Sequence, residues 1–129
     1  MSDKVRVVVV SGSRERLQMA AMVASVAAVS GSDVQVFLSM NALPYFKKGG
    51  EQRAPAEGGV GELLEARKAP PFQQLFQQAA ELGDAKLYPC SMAMDVLQLT
   101  EGDLEPHLGE PMGLTKFLDD AADAQVWTF

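Results

Sequence analysis

The sequence predicts one doubly wound α/β domain, residues 1–129, with about five mainly parallel strands and helices on both faces. Three observations carry this. The β-branched run Val5–Val10 is broken only by Arg6, as in a strand covered on both sides. A helical pattern and a second apolar run, Val34–Leu38, follow it within about 35 residues, the length of a βαβ unit. Strand-like and helix-like stretches then alternate through the rest of the chain, with no internal repeat.

The elements follow in order. After the first strand, Ser11-Gly12-Ser13 reads as a turn with Ser13 as helix N-cap. The next helix carries a small-residue stripe, Leu17, Ala20, Ala21, Ala24 and Ala28, suited to close packing on a sheet. A bulkier stripe of Met19, Met22, Val23 and Val26 implies that little of this helix meets water. Ser30-Gly31-Ser32 ends it. Ser39–Phe46, interrupted by Pro44, reads as a short helix or turn over the mouth of the sheet. The glycine-rich stretch Lys47–Gly61 reads as one long loop, a flap. Pro70-Pro71 opens an amphipathic helix with Phe72, Leu75, Phe76, Ala79 and Leu82 on one face, and Gly83 is expected to close it in the left-handed conformation. Ala85–Tyr88 is the third strand. A short fourth strand is expected near His107–Glu110, then a helix over Gly113–Ala122 with Leu114, Phe117, Leu118 and Ala121 on one face. Ala124–Phe129 is the last strand.

Composition narrows the function. With 129 residues and 47% hydrophobic content, the chain can bury one ordinary core. No signal-peptide pattern precedes the first strand, and the run Met19–Val29 is too short and too rich in Ala to span a bilayer, so a cytoplasmic protein is expected. The net charge of −6, with acids dense over Glu101–Glu110, argues against nucleic acid or an anionic membrane as partner. The single Cys excludes an intrachain disulfide and a cysteine metal cluster. Neither a metal nor a cofactor is expected.

The chemistry centres on Lys86-Leu87-Tyr88-Pro89-Cys90-Ser91-Met92-Ala93-Met94-Asp95-Val96-Leu97. Pro89 stops a strand, and helix formers begin at Ser91. Cys90 therefore falls where a strand hands over to a helix, and a thiolate there would meet the positive end of the helix dipole. A lone Cys is equally read as a small buried hydrophobe without reactivity. Met92 and Met94 suit a soft, dry collar around the thiol. Ser91 and Met92 flank it as candidate substrate contacts. Ser11, Gly12 and Arg14 at the first turn suit an anion, although G-x-G-x-x-G and the P-loop pattern are both missing, as is the Ser/Thr-rich loop of a flavin phosphate site. Tyr45 or Phe46, with the glycine-rich loop, is the candidate lid. His107, the only histidine, follows Pro106 in an acidic loop and is expected at the surface. The absence of C-x-x-C excludes thioredoxin-type exchange within one chain, while a lone thiolate still suffices to carry a persulfide.

Three features together resemble the DsrE/DsrF-like family, and within it the DsrE sulfur-relay branch. They are the first strand ending in Ser11-Gly12, the segment Leu87-Tyr88-Pro89-Cys90-Ser91-Met92-Ala93-Met94-Asp95, and Gly113-Leu114…Phe117-Leu118…Ala121…Val126-Trp127-Thr128-Phe129. The resemblance implies a flavodoxin-like fold, homo-oligomeric assembly and cytoplasmic sulfur transfer, with Cys90 accepting sulfane sulfur as a persulfide. It implies TusA-like or rhodanese-like sulfur carriers as partners and sulfurtransferase-like activity. The second cysteine of some relatives is missing here. Apolar residues outside the expected core, Met40, Leu43, Tyr45, Phe46, Val126, Trp127 and Phe129, point to a closed homo-oligomer, a trimer or a multiple of it ahead of a dimer or tetramer. The alternative is a non-enzymatic binding or assembly module with an inert Cys90.

Overall fold

A computed structural model of the chain describes residues 3–49 and 53–129. The first strand, β1 (Lys4–Val9), leads through Ser13, whose hydroxyl accepts from the Arg16 N–H, into α1 (Arg14–Val29). Strand β2 (Asp33–Leu38) pairs with β1 in parallel, Val5 beside Val34 and Val9 beside Leu38. A 3-10 turn over Met40–Phe46 contains Pro44. Helices α2 (Gly59–Ala66) and α3 (Phe72–Gly83) precede β3 (Lys86–Pro89). Then come α4 (Ser91–Leu97), α5 (Leu114–Asp119) and β4 (Gln125–Thr128).

Among the described residues the sheet has four parallel strands in the order β3-β2-β1-β4. The doubly wound α/β architecture is as the sequence predicts, with one strand fewer. The residues near His107–Glu110 do not form a strand. Pro106 and Pro111 bracket them and remove two ladder donors. The segment runs as a strap along the outer edge of β3, tied by Gly109 N–H to the Leu87 carbonyl (2.7 Å) and Met112 N–H to the Pro89 carbonyl (3.0 Å).

Side-chain alternation assigns the two faces. Val5, Val7 and Val9 of β1 align with Val34, Val36 and Leu38 of β2, all buried in the main core with the small stripe of α1. The opposite face is thinner, and there Phe37 stacks on Phe117 of α5 with ring centroids 5.0 Å apart. Arg6, only 2% exposed, also belongs to this face. Its guanidinium donates to the Asp33 carbonyl (2.7 Å) and the Asp120 carbonyl (3.1 Å) and pairs with the Asp33 carboxylate (3.3 Å). One buried cation thus ties the start of β2 to the end of α5, where a positive charge also suits the helix dipole.

Several expectations are corrected. The bulkier stripe of α1 is not covered: Met19, Met22 and Val26 are exposed. Leu43 and Phe46 are not surface residues but lie in the core, where Phe46 meets Phe72 and Phe76. In α5 only Phe117 is buried, while Leu114 and Leu118 are exposed, and the helix ends at Asp119. Gly83 is the last residue of α3 and is not left-handed; that conformation falls on Asp84 (φ 58°). Gly83 is needed for another reason: a Cβ there would lie 2.5 Å from Ala28 Cβ, so its bare backbone permits α1 and α3 to touch.

The long loop is shorter than expected, because α2 begins at Gly59. Gly50, Glu51 and Gln52 lie outside the described residues. The rest is pinned from α1. Glu15 accepts N–H bonds from Glu57 (2.8 Å) and Gly58 (2.7 Å). Gly58 has no side chain to cap α2, and the Glu15 carboxylate stands in for one. The Glu57 N–H holds the Glu15 carboxyl below its ordinary pKa, against a smaller opposing effect of desolvation.

Candidate functional site at the Cys90 turn

Pro89 is the last β3 residue and pairs with Leu38. The chain then turns, and Cys90 (φ −69°, ψ 121°) caps α4. Its Sγ takes the place usually held by a Ser or Asp oxygen, accepting the Ala93 N–H at 3.5 Å. The Cys90 backbone is held on both sides. Its N–H donates to the Leu38 carbonyl (2.8 Å), and the strap bridges it at Met112, whose carbonyl accepts the Ser91 N–H (3.1 Å). The thiol is only 5% exposed. Ala93 and Met94 are buried beside it, whereas Ser91 is exposed and Met92 is 55% exposed. The expected collar is therefore half formed: Met94 packs inward and Met92 faces solvent.

The other candidate residues gather elsewhere. In the sheet order, β2 separates the Cys90 turn at the end of β3 from Ser11 at the end of β1. Gly12 abuts the 3-10 turn, and a Cβ there would lie 3.0 Å from the Asn41 carbonyl oxygen and 3.4 Å from the Tyr45 ring. Gly12 and Tyr45 share a crevice of about 490 Å³ with Asn41 and Pro55 that Cys90 does not line. The first turn spends most of its N–H groups internally. Those of Val10 and Ser11 donate to the Phe129 carbonyl, and that of Ser13 to Ser11 Oγ. Arg14 is engaged as well, donating to the carbonyls of Ala54 (3.0 Å) and Gly61 (2.8 Å) and pairing with Glu65 (3.2 Å).

His107 departs from its expected surface place. It is half-buried, Nε2 has no hydrogen-bond partner among the described residues, and burial holds its pKa below the ordinary value, with Glu105 and Glu81 acting the other way. It lines a cleft of about 430 Å³ against β3 with Lys86, Tyr88 and Glu105. Its proline context gave no hint of this, because the burial comes from the strap folding back on β3. Among the described residues no group of three His, Cys, Asp or Glu side chains is placed to hold a metal ion. No helix among them is long and apolar enough to cross a membrane.

The profile of the DsrE/DsrF/DrsH-like family matches residues 57–129, more than half of the chain and the part that contains Cys90. The chain belongs to this family. Membership supports a role of sulfur-relay type in broad terms. A comparison with curated proteins finds no match. Among solved structures, the ychN protein from E. coli superposes over all of both chains with a TM-score of 0.70 at 20% identity. MTH1491 from Methanobacterium thermoautotrophicum, described as a protein of unknown function, gives 0.63 at 9% identity over 98% of this chain and 97% of its own. At these identities the likeness shows the fold alone, and that fold agrees with the doubly wound sheet described above.

Proposed function

We propose that the protein is a cytoplasmic sulfur carrier or sulfurtransferase subunit that holds sulfane sulfur as a persulfide on Cys90. The observation that carries this is the placement of Sγ at the helix cap within reach of the Ala93 N–H, in the segment matched by the family profile. A backbone N–H at that point offers the sulfur a hydrogen-bond donor. Loading needs no outside oxidant or reductant. The Cys90 thiolate attacks the outer sulfur of a donor persulfide and a new S–S bond forms at Cys90. The donor's S–S bond breaks, and its electron pair leaves with the donor thiolate. Exposed Ser91 and Met92 are the contacts a partner thiol would meet first, and Gly12 and Tyr45 line a separate docking crevice, with Ser11 just before it in the first turn. TusA-like or rhodanese-like carriers are the proposed partners. Homo-oligomerisation, as a trimer or its multiple, would cover the exposed Met19, Met22, Met40, Val126 and Trp127.

The burial of Cys90 favours a second reading, an assembly module with an inert thiol. Intact-mass measurement separates the two. Polysulfide should add about 32 Da per sulfur at Cys90, removable by a thiol reductant. Cys90→Ser should fold and assemble normally and gain nothing. A wild-type protein that takes up no sulfur from several donors, or a Cys90→Ser protein that does, defeats the carrier reading.

A further inference from the structure

The chain's net charge is −6, yet one cavity, of about 710 Å³, is ringed by cations. It lies between the start of α1, α2 and the link into α3, and Cys90 does not line it. Arg14, Arg53 and Lys68 meet one carboxylate there, that of Glu65, which pairs with both arginines. Three basic side chains thus face one acidic one, a formal excess of two positive charges. Leu64 and Phe72 supply an apolar wall, and the volume lies in the range of small-molecule sites.

The fold accounts for Arg14, which pins the Ala54 and Gly61 carbonyls. It does not account for Lys68, which makes no ion pair among the described residues. Lys68 also occupies the left-handed position after α2 (φ 56°), with its N–H on the Glu65 carbonyl (3.1 Å). Glycine suits that position better, because a Cβ is disfavoured there. A cation thus stands at the rim of the cavity against the local backbone preference.

We propose that this cavity binds a small organic anion: an oxyanion group, carboxylate or phosphate, on an apolar body. The oxyanion meets Lys68 and Arg53 at the rim, and the body lies on Leu64 and Phe72. This site is independent of sulfur chemistry at Cys90, so a failure of either leaves the other standing.

Amide chemical shifts of the whole chain, titrated with phenyl phosphate, benzoate and benzyl alcohol, test it. At least one of the two anions should shift the amides of Ala54, Leu64, Lys68 and Phe72, and whichever binds tighter identifies the group. Benzyl alcohol, with the same ring and no charge, should bind more weakly. Lys68→Gly fits the backbone and removes the cation together with its alkyl stem. It should keep the fold and weaken anion binding about fivefold, the scale of one partly exposed charge contact. Arg53→Gln gives a second variant with the same expected direction. Equal binding of the neutral alcohol, shifts confined to other surfaces, no shifts with either anion, or unchanged affinity in both variants overturns the proposal.

Discussion

Gly83→Ala tests why α3 ends in glycine. Gly83 has a helical backbone, so with open space beside it alanine would stabilise the helix, by up to about 1 kcal/mol in a helix interior and less in the last turn. The space is not open. The new Cβ would lie 2.5 Å from Ala28 Cβ and 3.0 Å from the Ala28 carbonyl carbon, and backbone cannot swing aside as a flexible side chain does. Overpacking of this kind costs about 1–3 kcal/mol, so the expected net change is a loss of about 1–2 kcal/mol. Ala28→Gly alone should also destabilise, by about 2 kcal/mol, through lost helix propensity and one lost buried methyl group. In the double variant the Cβ–Cβ clash is gone while the contact with the Ala28 backbone remains. The two changes should therefore fall short of additivity by about 1 kcal/mol. Urea unfolding at fixed protein concentration, followed by circular dichroism, measures all four corners. Gly83→Ala equal to or more stable than wild type, or strict additivity of the pair, would refute the close-contact explanation. Asp84→Gly completes the argument: because Asp84 holds the left-handed position, it should gain up to about 1 kcal/mol.

Other outcomes are equally specific. Arg6→Met keeps the bulk but strips the donors from the Asp33 and Asp120 carbonyls. Urea unfolding should show a loss of about 2–3 kcal/mol, and amide exchange should quicken at the end of α5. Glu15 has a lowered folded pKa, so its pinning of the loop is fully present above its unfolded value and is lost as pH falls through the folded one. Glu57 and Gly58 amide protection should drop in acid, and Glu15→Ala should show that drop at neutral pH; protection indifferent to both would remove Glu15 from the role. Trp127 is 49% exposed in the single chain, so assembly over that edge should shift its fluorescence to the blue. Val126→Lys should reverse this and lower the mass seen by light scattering, whereas a wild-type mass near 13.9 kDa at micromolar concentration counts against assembly.

The elements that depend on local signals were legible in the sequence: the β-branched first strand, the Ser13 cap and the spacing of Phe72, Phe76 and Ala79. The Cys90 turn was legible for the same reason, since Pro89 and the run of helix formers adjoin it. What escaped depends on distant partners. Gly58-Gly59-Val60-Gly61 reads as loop, and the carboxylate that caps α2 comes from Glu15 on another helix. Gly83 looks like a helix stop until Ala28 is seen against it. Arg14 looks free for an anion until Ala54, Gly61 and Glu65 close around it. The backbone partner of Cys90 has no local sign either, because it arrives from Met112.

That partner segment bears on how the thiol would be reached. The strap is held to the rest of the fold by few backbone bonds, among them Glu105 N–H to the Phe46 carbonyl and the pairings at Gly109, Met112 and Ser91. Lifting it would leave all four sheet strands paired. The opening equilibrium at Cys90 is then local, cheaper than global unfolding and exposing little surface. Thiol labelling in the native state should proceed through such brief excursions. Its rate should climb only shallowly with urea and steepen where the whole domain begins to melt. A sulfur atom carried there would be shielded between transfers, and the lifetime of its persulfide would be governed by the opening frequency of the strap.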